Sequence, residues 1–376
     1  MANQMKFYRP TFAEIDLGAI RHNVRRIRQL IGHDAKILGV VKADAYGHGM
    51  KQVSRVLVEE GVEYIGVASL DEARELRQAG IKNKILSLGA ILNEEAKGVL
   101  KFDVIQAISD LHIARALSML GQAKKKDIKV HIKIDTGMGR LGFWHEEAIG
   151  FVKKISSMDR IVIDGIFTHF PNAEEDKVFT LSQIRIFKAL IEDLLRLGID
   201  IPIKHASNSM ALIDFKDAHM NMVRPGLIIY GLYPKKELAG KLKLRPALKL
   251  KSKVIHVKSL LKGRSVSYGR TYVAAKDTRV AIIPVGYGDG YSRHLSNQAD
   301  VLIKGNRCPV VGKICMDITI VDVGHLKNVR PGDEAVLIGT QGRGAIPVEE
   351  IAGLLNTIPY EVVCGIGRRV PRVYKN

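Results

Sequence analysis

The sequence predicts an α/β fold, a (β/α)8 barrel of the TIM type over residues 11–240 followed by a mostly β C-terminal domain over 241–376, with residues 1–10 as candidates to pack on that second domain. Three observations lead there. A chain of 376 residues exceeds the length at which single hydrophobic cores stop growing, which calls for two domains. From residue 36 to about 230, short β-branched runs alternate with stretches of helical period, the signature of parallel strands joined by crossover helices. Past Pro234 the texture changes to strand-like runs with few helices.

The candidate barrel strands are 36–42, 64–68, 84–88, 104–108, 129–134, 161–167, 203–206 and one ending near Val223. Amphipathic segments lie between them. In LDEARELRQAG, Leu70, Ala73 and Leu76 share a face, and LSQIRIFKALIEDLLRLG stops at a glycine. Eight such units fit a closed (β/α)8 barrel better than an open sheet, although periodicity alone does not show closure. The second domain reads as strands in ALKLKSKVIHVKSLL, TRVAIIPVGYG, ADVLIKGNRCPVVG and DITIVDV, with one late helix, VEEIAGLLN, followed by IPYEVVCGIGRRVPRVY.

With 46% hydrophobic and 26% charged residues the composition is that of a soluble globular protein. The N-terminus, MANQMKFYRPTFAEIDL, has no apolar core of a signal peptide, and no apolar run approaches bilayer length, so the chain reads as cytoplasmic with no membrane partner. The three cysteines, Cys308, Cys315 and Cys364, lack CxxC spacing and fit reduced thiols better than a disulfide framework or a zinc site. The formal charge of +19 raises nucleic-acid binding as a class. The basic runs, Lys124 to Lys126 and GKLKLRPALKLKSK, instead follow a helix or alternate along a strand, without interleaved aromatics. They read as solvated faces that favour solubility, with no nucleic-acid partner.

In a barrel of this type the catalytic groups sit on loops that follow the strands. The first strand ends in Lys42, with Tyr46 beyond it; the fifth bears Lys133 and leads through DTGMGRLG to Arg140. The sixth ends in THF with His169, the seventh in HASNS with His205, Asn208 and Ser209, and the eighth in VRPGL with Arg224, Gly226 and Leu227. The last two loops lie where such barrels commonly bind phosphate, and a helix start at Asn208 and Ser209 beside a glycine suits an anion. Taken singly, SNS is equally a helix cap and RPG a turn. Their coincidence, with a lysine nearby and no metal-ligand cluster, points to pyridoxal 5'-phosphate. A lysine amine forms a Schiff base with its aldehyde, and the ring acts as an electron sink. Lys42 is the best placed candidate, since the first strand lies beside the eighth in a closed barrel; the alternative is a surface lysine that snorkels from a strand end.

VVKADAYGHG, KIDTGMGRLG, THF, HASNS, VRPGLIIYG, VSYGRTY, GYGDGY, VGKICMD and IPYEVVC, in this order over most of the chain, closely resemble the bacterial alanine racemases. The resemblance implies a pyridoxal-phosphate-dependent interconversion of L-alanine and D-alanine that supplies D-alanine for peptidoglycan, carried out by a homodimer with shared active sites. By it Lys42 holds the cofactor, Tyr46, Ser209, Gly226, Leu227 and Tyr360 bind its phosphate with Asn208 alongside, and Arg224 faces the pyridine nitrogen. Lys42 serves as base on the D side and Tyr268 of the partner subunit on the L side. Arg140 binds the substrate carboxylate, and Met316 of the partner subunit contacts substrate through its backbone, with Asp317 next to it at the entrance. His169, Arg140 and Arg224 supply positive surroundings for the tyrosine. In the family the lysine matched by Lys133 is often carbamylated and paired with the arginine matched by Arg140. Tyr287 and Tyr291 read as entrance or interface residues, with the core of the β domain an equal reading for Tyr291. Departures are small: Asp44 stands where many relatives have asparagine, and the loop FPNAEEDK after His169 belongs to a variable segment.

Other readings share these motifs less well. A racemase acting on serine or several amino acids differs only in side chains that sequence does not place. A decarboxylase on a similar barrel would present a carboxylate where Arg224 stands. A non-enzymatic carrier of the cofactor has no use for a second base in SYGRTY.

Overall fold

The computed structural model describes residues 8–376, which divide into two compact units. One comprises Ile20–Ala45 and Gly49–Arg245; the other joins the N-terminal stretch through Ala19, Tyr46–His48 and Pro246–Asn376.

The first unit is a nearly closed barrel of parallel strands. Their order is Met222–Val223, Lys36–Val40, Tyr64–Val67, Lys84–Ser87, Val104–Ile108, Ile128–Asp135, Ile161–Phe167 and Ile203–His205, with the short Phe143–Trp144 attached to Ile128–Asp135. Between the first and last of these the contact is made by side chain and loop. The Asn221 amide accepts the Lys204 N–H at 2.7 Å and donates to the Pro202 carbonyl at 2.7 Å, and the Arg224 N–H reaches the Ser207 carbonyl at 3.0 Å. Leu38, Tyr64, Leu86, Ile105, Ile203 and Met222 fill one buried layer of the interior. In the pairing of Ile128–Asp135 with Ile161–Phe167 the register slips between Val130 and His131, whose partners are Ile163 and Gly165. Asp164 is therefore the extra residue of a β-bulge, a device that re-aims side chains.

The helices follow their caps. Leu70–Gln78 starts at Ser69, whose hydroxyl accepts the Glu72 N–H, and buries Leu70, Ala73 and Leu76 as the spacing predicts. Lys177–Arg196 begins ahead of its periodic stretch because Asp176 caps the Phe179 N–H at 2.8 Å, while Val178 and Phe179 in that first turn remain exposed.

The second unit is mostly β. Its main sheet runs Asn306–Pro309, Asp300–Ile303, Glu334–Gln341, Leu248–Lys253, Phe12–Asp16, Arg372–Lys375, with Gly344–Ile346 paired to Glu334–Gln341. His256–Leu260, Thr278–Ile283 and Thr319–Asp322 make a smaller sheet. Phe12–Asp16 lies in the main sheet, antiparallel to Leu248–Lys253 and parallel to Arg372–Lys375. Of the N-terminal residues 1–10, residues 1–7 lie outside the described part, and Arg9 forms a two-pronged ion pair with the buried Asp289 at 2.5 and 2.6 Å. Leu248–Lys253 alternates as its basic sequence suggests: Leu248, Leu250 and Ser252 are buried, and Lys251 turns out to meet Glu14 at 3.2 Å. Two helices occur late, Val348–Leu354 and Pro359–Cys364. The second is masked in sequence by its Val-Val pair, and the Pro at its first position favours a helix start. No described helix is long and apolar enough to cross a membrane.

Candidate active site

The first barrel strand ends at Val40, two positions short of Lys42. Just past the expected strand 36–42, Ala43, Asp44, Ala45 and Tyr46 have φ of 52 to 54°, a left-handed turn built without glycine. Each such residue costs about 1–2 kcal/mol relative to right-handed backbone, so neighbours must hold the turn. Within the barrel unit they do. Glu72 accepts the Ala43 and Ala68 N–H groups, both at 2.7 Å; Ala45 donates to the Val41 carbonyl at 2.7 Å; and Asp44 Oδ1 caps the Met50 N–H at 2.7 Å. An asparagine oxygen at this position could make the same cap. Lys42 itself is exposed in the single chain, at the rim rather than inside the barrel.

Below it the mouth is lined with cations. Lys133 is 4% exposed, with its ammonium 5.7 Å from the centre of the Phe167 ring. Burial first, then Arg140, Arg224 and Lys42, draw its pKa down to about 8 against the opposing pull of Asp135. His169 is driven well below the usual histidine value by desolvation and then by Arg224, Arg140, Lys133 and Lys42, so it is neutral. Arg224 is buried, and desolvation lowers its pKa to about 9, which leaves it a cation at neutrality. Its Nη2 donates to the carbonyls of Thr168 and Ala206 at 2.7 and 2.8 Å and lies 3.3 Å from His169 Nδ1, while Nη1 lies 3.0 Å from His205 Nδ1. These partners include no carboxylate. The nearby Asp135 carboxylate takes the N–H groups of Gly137 and Met138 at 2.8 Å and of Arg140 at 3.1 Å, which shapes the DTGMGR turn.

The seventh and eighth strand ends meet through Ser209, whose hydroxyl accepts the Gly226 N–H at 2.9 Å. Asn208 caps the helix Ser209–Asp214 by accepting the Ala211 N–H at 3.0 Å, so its carbonyl oxygen serves the helix. Gly226 precedes the helical turn Leu227–Tyr230. First N–H groups of a helical turn have no partner inside it. Two turn starts, a serine hydroxyl, Lys42 and Arg224, whose hydrogen-bond partners include no carboxylate, form a donor set that fits a phosphorylated aldehyde.

In the second unit the rings of Tyr46 and Tyr360 lie 5.7 Å apart. Gly47, next to Tyr46, has φ +79°, and a Cβ there would meet the carbonyl of Val363 in the helix Pro359–Cys364 at 2.2 Å. Tyr268 is 68% exposed and Met316 52% exposed. The residue before Tyr268, Ser267, has φ 63° and ψ −174°, a region almost confined to glycine, and its hydroxyl donates to the Lys313 carbonyl at 2.5 Å. The Met316 carbonyl accepts the Gly288 N–H at 2.9 Å. Asp317 pairs with Arg369 at 2.5 Å, and Arg369 also lies 3.4 Å from Asp289. Tyr287 is partly exposed, but Tyr291 is 2% exposed and belongs to the core.

Within the barrel unit the structure thus gathers Lys42, Lys133, Arg140, His169 and Arg224. Sequence reasoning passed over His131, Asp164, Thr168, Ser267 and Arg369. The first had a signal: His131, Lys133 and Asp135 alternate along one strand, the spacing of one face. Asp164 had none, because its bulge is defined by the pairing of its strand with Ile128–Asp135, a partner distant in sequence.

The family model described as alanine racemase, N-terminal domain, matches residues 15–234, and that described as alanine racemase, C-terminal domain, matches 247–374. The alanine racemase of Halothermothrix orenii is 46% identical over 369 residues, covering 98% of this chain and 97% of its own length. Among solved structures, the alanine racemase of Clostridium difficile 630 superposes with a TM-score of 0.93 at 41% identity over 98% of this chain and 97% of that one. The alanine racemase of Bacillus anthracis, crystallised with bound L-Ala-P, gives 0.93 at 35% identity over 99% and 96%.

Proposed function

The chain belongs to the alanine racemase family, and we propose that it interconverts L-alanine and D-alanine with pyridoxal 5'-phosphate as cofactor, as a homodimer in the cytoplasm that supplies D-alanine for peptidoglycan. The observation that carries this reading is the barrel mouth in which Lys42, Lys133, Arg140 and Arg224 converge and the residues bonded to Arg224 include no carboxylate. When bound, this cofactor withdraws electrons from the carbon that loses a proton.

Lys42 is the residue to hold the cofactor, and Ser209, Gly226 and Leu227 are the barrel residues to bind its phosphate, with Asn208 fixing their turn. The same reading gives Tyr46 and Tyr360 to the phosphate. Arg224, always a donor, is assigned to the pyridine nitrogen; it hands over no proton, so the ring remains a weaker electron sink than one paired with a carboxylate. Arg140 is assigned to the substrate carboxylate, and Met316 of the partner subunit to a backbone contact, with Asp317 of the partner subunit at the entrance.

Racemisation needs a base on each face of the reacting carbon. Lys42 takes the D side, and Tyr268 of the partner subunit takes the L side. Its exposure in the single chain supports a role completed by a second copy. A tyrosine acting as base near neutrality needs its pKa lowered by roughly 2 to 3 units, about 3–4 kcal/mol. One cation at about 4 Å in a medium of effective dielectric about 20 supplies about 4 kcal/mol. Arg140 and Arg224 would suffice for that; His169, expected from sequence as part of the positive surroundings, is neutral instead, because burial and then the neighbouring cations drive its pKa down. Lys133, with a pKa near 8, is neutral often enough to take up carbon dioxide, and a carbamate there would give Arg140 a counter-charge.

The test is incubation with pyridoxal phosphate and L-alanine in deuterated water, followed by separation of the enantiomers. Deuterium-labelled D-alanine is the expected product, and its absence refutes the reading. Borohydride reduction and peptide mapping should place the cofactor on Lys42 alone.

A further inference from the structure

A run of hydrogen bonds descends the inside of the barrel from Arg224. Its Nη1 lies 3.0 Å from His205 Nδ1, His205 Nε2 lies 2.8 Å from His131 Nδ1, and His131 Nε2 lies 3.5 Å from Asp164 Oδ2. On the other side Lys84 Nζ donates to the Tyr64 hydroxyl at 2.9 Å, which donates to Asp164 Oδ2 at 3.4 Å. Both histidines are fully buried, with rings edge to face at 5.0 Å, and Phe167 stacks on His205 at 4.7 Å.

A guanidinium has no acceptor, and this sets every proton in the run. His205 Nδ1 must be bare, so its proton sits on Nε2 and points to His131 Nδ1. His131 then carries its own proton on Nε2, facing Asp164. Burial lowers the pKa of both rings, consistent with neutral imidazoles. The backbone is shaped to allow the run. The bulge at Asp164 breaks the alternation of its strand beside His131, and at Gly165 a Cβ would come within 2.5 Å of the His131 ring. An apolar barrel interior needs neither feature.

We propose that Asp164, His131 and His205 are positioning residues that hold the Arg224 guanidinium in one orientation, with the Asp164 carboxylate as the fixed negative end of the run. The effect on catalysis rests on the assignment of Arg224 to the cofactor ring; the proton arrangement does not. No proton moves along the run; it works by committing each donor.

The first measurement is made without cofactor, on the full-length chain with 15N-labelled histidine rings, the two signals being identified by their loss in His131→Gln and His205→Gln. Both rings should be neutral and protonated on Nε2 at neutral pH. A proton on Nδ1 of either ring, or a charged ring, overturns the proposal whatever the cofactor does. The second uses the loaded enzyme. His131→Leu should lower kcat about tenfold with KM for alanine unchanged, and His131→Gln, whose amide can accept from His205 and donate to Asp164, should recover to within about threefold. An unchanged kcat in His131→Leu, or a glutamine variant no better than leucine, overturns it. Should the leucine variant fail to fold, Asp164→Asn is expected to lower kcat in the same sense, and wild-type kcat in that variant overturns the role of the carboxylate.

Discussion

Ser209 and Gly226 are joined by a buried hydrogen bond of 2.9 Å from the glycine N–H to the serine hydroxyl, which locks the seventh and eighth strand ends together. Ser209→Ala leaves that N–H without an acceptor in a buried place, at a cost of about 1–3 kcal/mol. The urea midpoint of the unloaded chain should fall accordingly, and pyridoxal phosphate should bind more weakly. A midpoint and affinity equal to wild type would remove Ser209 from the phosphate site.

Ser267 holds a glycine-like backbone through its bond to the Lys313 carbonyl. Ser267→Ala keeps the strain and loses the bond, so stability should drop by about 1 kcal/mol. Ser267→Gly loses the bond but relieves about 1–3 kcal/mol of strain, which leaves stability near or above wild type. Both should lower racemase activity, because Tyr268 follows directly. Equal midpoints for the two variants would show that the backbone is not strained.

Lys133 gives stability a pH dependence of known sign. Its pKa is about 8 in the folded chain, against roughly 10.4 for a free lysine. Between these values the unfolded chain binds more protons, so stability rises with pH across that window and the penalty is fully present below it. Urea titrations of the unloaded protein should show the rise, and Lys133→Met should remove its first part, between about pH 8 and 9 where Arg224 is still mostly charged, while raising stability at neutral pH. A rise of equal size in Lys133→Met assigns it elsewhere.

On the proposed function, Tyr268→Phe would remove one of the two bases. Racemisation should fall by about 10²–10⁴-fold. Deuterium exchange should stop from L-alanine and continue from D-alanine, and exchange from the L enantiomer at wild-type rate would exclude the tyrosine as its base.

Much of the barrel is legible in sequence because burial on both faces makes parallel strands into apolar runs, and helices between them keep a period near 3.6. The site is legible for a related reason. Lys42, Lys133, Arg140, His169 and Arg224 all fall at strand ends, where a barrel concentrates its chemistry. Less legible are features whose cause lies far along the chain. Phe12–Asp16 has the composition of any strand, and its place is decided by Leu248–Lys253 and Arg372–Lys375 on either side. The left-handed turn after Val41 includes alanines that favour ordinary helix, and it exists because Glu72 accepts the Ala43 N–H and Asp44 ties the turn to the next helix at the Met50 N–H.

The amino-acid order by itself determined the fold class, the family and the residue types at each strand end, since these follow from hydrophobic period and from side-chain chemistry that every conformation shares. Protonation and direction are different quantities. Whether Lys133 is half neutral near pH 8, which nitrogen of His205 faces Arg224, and where Asp164 points depend on desolvation and on partners contributed by distant strands. Those fields arise only when the barrel has closed around them.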